Sequence, residues 1–458
     1  MAIEGRRDGD EEMVRPLVMV EDKTSAAASS SYIWMVVLST AVAVSGSFEF
    51  GVAVGFSSPS QAQIIDDLGL SLAEYSLFGS ILTIGAMVGA IMSGRVADII
   101  GRKRAMIVSD IFCIVGWLPI IFLKDIWWFD LGRLFVGFGI GLLSYVVPVY
   151  IAEITPKELR GGFTTVNQLM ICGGVTFAFL LGTVLAWRTL AFIGTLPCLL
   201  QLFGLLFIPE SPRWLANTDR GNEFESALQK LRGKSTDISQ EVEDIKEFTK
   251  LLNSLPRGNI LELFQKRYLR AVIVGVGLMA FQQFGGINGV CFYTSSIFVS
   301  AGFSSGKVGT IAYALLQFPM TGVGALLMDK SGRRPLLLVS ATGTCVGLIL
   351  VTISFLLELS SQSSLKAFLA LAGILIYIGS FSLGMGAIPW IIMSEANIPH
   401  KHEGCRRKSC HLDELVWCMG YILCLQFSHG LEHSRYLLYI HVHMRPLCCI
   451  RRFDGTGD

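Results

Sequence analysis

The sequence predicts an all-α polytopic membrane protein, and three observations carry that class. Of its 458 residues 52% are hydrophobic and only 16% charged, with a mean hydropathy of +0.56. So few charges cannot solvate the surface of a soluble protein of this size. Apolar runs of about 20 residues, the length a helix needs to cross the hydrocarbon core, recur along the chain, and the charges gather in the segments between them. A net charge of +1, with no basic stretch interleaved with aromatics, argues against nucleic acid as a partner.

Residues 1–32 are polar and lack an apolar core before a cleavage site, so they read as a cytosolic tail rather than a signal peptide. Ten spans follow, at roughly 33–56, 77–94, 106–123, 129–152, 166–186, 189–208, 271–300, 308–328, 336–357 and 367–394. Between the sixth and seventh lies a charged linker, 209–268, in which "FESALQKL" and "VEDIKEFTKLL" have the apolar spacing of short amphipathic helices. Basic residues in short loops resist translocation. Arg95, Arg102, Lys103, Arg104, Lys157, Arg160, Arg213, Lys330, Arg333 and Arg334 all fall on one side, whereas the loop after the first span holds Asp66, Asp67 and Glu74 without a base. The N-terminus and the linker are therefore expected in the cytosol.

Glycines within the spans read as packing residues. "GAMVG" (85–89) is a small-xxx-small contact, and "GFGIG" (137–141) is another helix seam rather than a nucleotide loop, since no strand precedes it. Cys113, Cys172, Cys198, Cys291 and Cys345 lie singly in apolar runs and imply no disulfide framework.

Two cytosolic loops repeat one pattern, an acid, then Gly three residues later, then bases: "GRVADIIGRKR" (94–104) and "MDKSGRRP" (328–335). Each half also sets a carboxylate at the cytosolic end of a later span, Glu153 in "VPVYIAEITPKELRGG" and Glu395 in "IPWIIMSEA". The repetition argues for an internal duplication and for an ion network that latches and releases. Its expected members are Arg95, Asp98, Arg102, Glu153, Arg160, Glu210, Arg213, Asp329, Arg333 and Glu395. Positive-inside residues with solvated partners are the alternative.

"GRVADIIGRKR", "GRLFVGFGIG", "PESPRWL", "FQQFGGIN" and "DKSGRRP", in this order and spacing, resemble the sugar porter family of the major facilitator superfamily. "SFEFGVAVGFSSPSQAQI" and the short tail narrow the resemblance to the plant early-dehydration-response-like monosaccharide transporters. The likeness covers about residues 33 to 395. It implies a major facilitator fold of two six-helix bundles, a sugar site between them and alternating access, as facilitator or proton symporter, in the vacuolar or plasma membrane. No enzymatic chemistry, cofactor or metal is implied. The partners are a small sugar, protons for a symporter, and the lipid bilayer.

A sugar hydroxyl donates and accepts together, and a primary amide answers both without a permanent charge in the membrane. Gln168, Gln282, Gln283 and Asn288 are such amides, and by the resemblance they bind sugar; an interhelical hydrogen bond is the alternative for each alone. The glycine pair in "QQFGGIN" can loosen its helix. Trp390, after Pro389, matches the family's stacking aromatic. Phe292 then Tyr293 stand where many relatives have two tyrosines, and Gln317 where many have an Asn. Glu49 reads as the only carboxylate deep in an N-terminal span. By the resemblance it occupies the place of a proton-coupling acid, with Arg133 as its expected partner; a static buried pair is the alternative.

All seven histidines, His400 to His443, and six of the eleven cysteines lie after residue 395. Cys418, Cys424, His429 and His433 come in the order of a zinc site, but only four residues separate the pairs, against about twelve in such folds. Back-translation offers a different reading. One nucleotide later, Ile398 to Gly404 spells Phe-Pro-Ile-Asn-Met-Lys, as in the family, and Leu412 to Ser434 spells a spanning helix. Residues 396–458 thus read as a frame-shifted tail, and the chain as an N-terminal six-helix bundle (33–208) with a C-terminal bundle of four helices (269–395), its eleventh and twelfth helices replaced. A non-transporting truncated isoform, acting on a full-length relative, is the alternative to transport.

Overall fold

The computed structural model describes residues 34–254 and 277–389, apart from 157–158, 219, 234–235, 279–280, 283 and 357–362. Fifteen helices account for most of them: α1 Trp34–Gly55, α2 Ser57–Leu68, α3 Leu72–Ile100, α4 Arg102–Phe122, α5 Ile126–Ile154, α6 Arg160–Gly182, α7 Trp187–Gly194, α8 Leu196–Gly204, α9 Pro212–Asn217, α10 Gly221–Arg232, α11 Ser239–Ser254, α12 Ile287–Ser300, α13 Lys307–Ser331, α14 Arg333–Leu356 and α15 Ser363–Ser380. A π-helical turn, Phe381–Met385, continues α15.

Among the described residues eight helices, not ten, are long and apolar enough to span alone. The expected sixth span is divided into α7 and α8 at Thr195, where Pro197 lacks the N–H that would continue the ladder. Only the latter part of the seventh is described as a continuous helix, α12. The linker patterns form α10 and α11, which close a small apolar core of Trp214, Leu215, Phe224, Ala227 and Leu228.

The repeated motifs are not loops. Helix α3 runs through "GRVADII" to Ile100, and α4 begins two residues later; the only joint is Gly101, at φ 97° and ψ 162°. Gly332 joins α13 to α14 at φ 80° and ψ 164°. Both conformations lie where an L side chain is strained, so the same backbone corner recurs at the matching point of each half. The start of α3 is fixed by a capping box: Ser71 Oγ accepts from Glu74 N while the Ser71 N–H donates to Glu74 Oε2 at 2.7 Å.

The glycine seams hold as expected. A Cβ at Gly85 or Gly89 of α3 would meet the Leu134 or Phe138 carbonyl of α5, and one at Gly137 or Gly141 would meet α3 in return. The two backbones are therefore in contact along the seam. Outward, large apolar side chains such as Phe122, Trp127, Leu206 and Leu326 are exposed, the surface a bilayer requires.

Candidate functional site

A cavity of about 30 Å³ lies between α6 from the first half and α13 with the π turn from the second. Its walls are Gln168, Cys172, Gln317, Thr321, Phe381, Ser382, Gly386 and Ala387. Among the described residues no charged group lines it. Gln168 Nε2 reaches Cys172 Sγ at 3.7 Å, and the Thr321 hydroxyl lies 2.9 Å from Gln317 O and 3.4 Å from Cys172 Sγ. Gln317 Oε1 is buried and accepts no hydrogen bond. The cavity therefore offers amide, hydroxyl and thiol groups to an uncharged polar ligand.

The π turn shapes one wall. A wider turn releases backbone groups from the helical ladder. Gln282 Nε2 donates to Met385 O at 2.6 Å and Gly386 O at 3.1 Å, and Met385 N donates to Ser340 Oγ at 2.8 Å. Gln282 thus holds the wall in place while its Oε1 stays buried and unpartnered. Gly286, at φ 79° and ψ 18°, breaks the chain before α12, as the glycine pair suggested, and Tyr377 Oη donates to the Gly285 carbonyl at 2.7 Å.

Of the expected amides, Gln168 and Gln317 share the cavity, and Gln282 is tied to its wall. Asn288 is half-buried in α12. Tyr293 sits at a kink of α12 (φ −118°, ψ 15°) and turns its hydroxyl toward Gly79 of α3. Gln283 and Trp390 lie outside the described residues. Cys172 and Thr321 were missed, although each stands four residues after a selected glutamine, on the same helical face.

Where α1 runs into α2, the two halves meet. Ser295 N donates to Ser58 Oγ at 3.0 Å, the Ser296 hydroxyl donates to Gln61 Oε1, and Phe292 packs among Phe56, Phe78 and Trp117. At the opposite end of α3, Arg102 grips Glu153 with two hydrogen bonds, Nε to Oε2 at 3.0 Å and Nη2 to Oε1 at 3.1 Å, and reaches Asp98 at 3.0 Å. The Ser211 hydroxyl donates to Glu153 Oε2 at 2.6 Å. Glu210 accepts from the backbone N–H of Lys103 and Ser211, at 3.0 and 2.8 Å. Burial holds the Glu210 carboxyl above its ordinary 4.5, against the opposing pull of those two N–H groups and the Arg102 charge. Arg95 and Arg333 are exposed and Arg213 is half-buried. Glu395 and the side chains of Arg160 and Asp329 lie outside the described residues.

Two expectations about the first span are corrected. Glu49 does not pair with Arg133. Glu49 is buried among Cys113, Trp117 and Cys198, whereas Arg133 donates to Ser57 Oγ and lies over the rings of Phe56 and Phe78, 5.5 and 4.8 Å from their centroids. Nor is Glu49 the only deep carboxylate of this half: Asp110 of α4 is equally buried and its charge acts on the same cluster. The acid in "IVSDIF" was visible in the sequence. That it shares a cluster with Glu49 was not, because the packing of α1 against α4 decides it.

Fold and cavity define a multi-pass helical membrane protein with an uncharged polar cavity between its halves. The family described as "Sugar (and other) transporter" matches residues 20–403, and the chain belongs to that family. It is 55% identical to sugar transporter ERD6-like 7 of Arabidopsis thaliana over 381 residues, 83% of this chain and 81% of that relative. It is also 55% identical to ERD6-like 16 of the same plant over 388 residues, covering 84% and 80% of the two chains. Among solved structures it resembles the partially occluded inward-open xylose transporter XylE of E. coli, with TM-score 0.71 and 21% identity over 92% of this chain and 98% of that one. It likewise resembles the XylE proton:xylose symporter bound to 6-bromo-6-deoxy-D-glucose, with TM-score 0.72 and 23% identity over 93% and 96%. The fold is that of the major facilitator superfamily.

Proposed function

We propose that the chain moves a monosaccharide of the glucose or fructose class across a membrane by alternating access, as a facilitator or a proton symporter. The observation that carries this reading is the cavity itself. Gln168 and Gln317 face one space from opposite halves, with an open acceptor on Gln317 and no charge in the walls among the described residues. Such groups answer sugar hydroxyls and leave a bundle interface free to rock. The relatives named as sugar transporters, and the structural relative holding a halogenated glucose, support the same substrate class. In this reading Gln282, Gln283, Asn288, Tyr293 and Trp390 complete the site from the second half. The contacts of α12 with α2 close one entrance, and the Arg102–Glu153–Asp98 network, with Glu210, Arg213 and their counterparts Asp329, Arg333 and Glu395, holds the other. The bundles are 33–208 and 269–395, joined by the 209–268 linker, with the N-terminus cytosolic and the protein in the vacuolar or plasma membrane.

The second reading, a truncated isoform that does not transport, is favoured by one observation. The family match ends at residue 403, within a few residues of the point at which back-translation puts the change of frame. Uptake of labelled glucose into yeast lacking its own hexose porters separates the two, comparing this chain with a frame-restored version at equal membrane levels. Uptake by both supports transport by the chain as it stands. Uptake by the restored version alone assigns the site to the longer product and makes this chain the isoform; uptake by neither refutes the sugar class.

A further inference from the structure

The cavity between the halves is smaller than the ligand its walls suit. A space of about 30 Å³ has room for about one or two waters and not for a sugar ring, so the structure shows the two halves closed on one another here. Toward the end of α6 and the start of α13 they stay in contact. Thr176 Oγ1 donates to Ala314 O at 3.3 Å, and the ring centroids of Phe179 and Tyr313 are 4.9 Å apart. Where this seam meets the cavity, Cys172 of α6 and Thr321 of α13 form the wall, with Sγ and Oγ1 3.4 Å apart.

That contact is the middle of a longer chain. Gln168 Nε2 donates to Cys172 Sγ at 3.7 Å, and the Thr321 hydroxyl lies 2.9 Å from Gln317 O as well as 3.4 Å from the sulfur. A thiol and a hydroxyl each donate and accept, so one hydrogen on each completes a run from the Gln168 amide through Cys172 and Thr321 to the Gln317 backbone. Cys172 and Thr321 are buried, and the run crosses from the first half to the second. It holds the Gln168 amide against the sulfur. Gln317 Oε1, on a side chain 8% exposed, is left as an open acceptor in the same wall. A buried acceptor without a partner marks a place for a donor such as a sugar hydroxyl. Sulfur is the weak member, a poor hydrogen-bond donor and acceptor. A contact that must part whenever the halves admit a ligand has to be weak, and a thiol meets that need.

We propose that Cys172 is a positioning residue of the sugar site: with Thr321 it latches the two halves across the cavity, holds the Gln168 amide in the closed form, and lets go when a sugar enters. The proposal rests on the sugar-transport reading. Sugar then binds only the fraction of molecules in which the latch has parted, so the strength of one thiol–hydroxyl contact sets part of the apparent affinity. Weakening the latch should tighten sugar binding, the opposite of what cutting a side chain that merely fills space would do.

The test has two arms, both on the purified full chain in detergent. Equilibrium binding of labelled glucose or fructose to C172A and T321V should tighten about threefold, the scale of one weak hydrogen bond removed from the closed form while Gln168 and Gln317 stay in place. C172S keeps a donor and an acceptor and should bind as the wild type does. Unchanged or weaker binding in both C172A and T321V overturns the proposal. In the second arm, copper-catalysed air oxidation of T321C should join the introduced thiol to Cys172, a link identified by mass spectrometry of the cleaved peptides. Saturating glucose or fructose should slow that disulfide severalfold, and L-glucose should leave its rate unchanged. A link that does not form, or that forms at the same rate with sugar bound, overturns the proposal. If C172A or T321V fails to yield monodisperse protein, the T321C arm decides alone. A wild type that binds neither sugar refutes the transport reading, and the role of the latch falls with it; bound sugar with an unprotected disulfide refutes the latch alone.

Discussion

Removing the carboxylate of Glu153 tests whether the network at the end of α3 holds α4, α5 and the 209–214 segment together. The side chains of Arg102 and Glu153 are 10% and 15% exposed and share two hydrogen bonds of 3.0 and 3.1 Å, and Glu153 takes a third from Ser211. Breaking a buried pair from one side leaves a charge without compensation, at about 3–5 kcal/mol. Arg102 keeps Asp98, 60% exposed, and the Ala97 carbonyl at 3.1 Å. The expected loss for Glu153→Leu is therefore near the lower end, ~3 kcal/mol. Replacing both partners by apolar residues removes the stranded charge, and such replacements are often close to neutral. A thermal-unfolding cycle in detergent over wild type, Arg102→Met, Glu153→Leu and the double variant should find the double variant more stable than either single one. If its loss equals the sum of the two single losses, the pair is not coupled, and the account of this network is wrong.

Three further outcomes follow from the site. Gln317→Leu removes an unpartnered buried acceptor from the cavity, and sugar affinity in a radioligand binding assay should fall about tenfold, the scale of one lost hydrogen bond; unchanged affinity would remove Gln317 from the site. Gln282→Leu frees the Met385 and Gly386 carbonyls, so amide hydrogen exchange across 381–389 should accelerate, and an unchanged rate would mean the π turn does not need that amide. For Glu210, burial gives the folded state a carboxyl that binds its proton above 4.5. The folded chain then holds more protons than the unfolded chain between 4.5 and that higher value, so this contribution is complete below 4.5 and is lost as pH rises through the folded value. The melting temperature of wild type relative to Glu210→Gln should accordingly be most favourable at acid pH and decline toward neutrality, and a flat difference would refute the assignment.

Much of this protein was legible in its residues, because the signals were local. Span length, the glycine seam at 85–89, the amphipathic linker helices and the repeated motifs each rest on spacing along one segment, and a helix converts such spacing into a face without help from the rest of the chain. The same rule could have found Cys172 and Thr321, four residues beyond Gln168 and Gln317. That the repeated motifs are corners rather than loops needed backbone angles: Gly101 and Gly332 let one helix end and the next begin with no connecting segment.

Pairing between distant segments belonged to the tertiary structure. The sequence presented Glu49 and Arg133 as opposite charges in the first and fourth spans, and their charge together with the family resemblance made them expected partners. Packing turned Glu49 toward α4 and α8, where Asp110 and two thiols wait, and placed Arg133 over two aromatic rings beside Ser57. The position of Gln282 was decided in the same way, since the carbonyls it serves exist as free acceptors only because α15 widens into a π turn 103 residues further on. Periodicity tells which residues share a face of one helix. Which helix that face meets depends on how all of them pack, and in a low-dielectric interior that choice sets the partner of every buried charge.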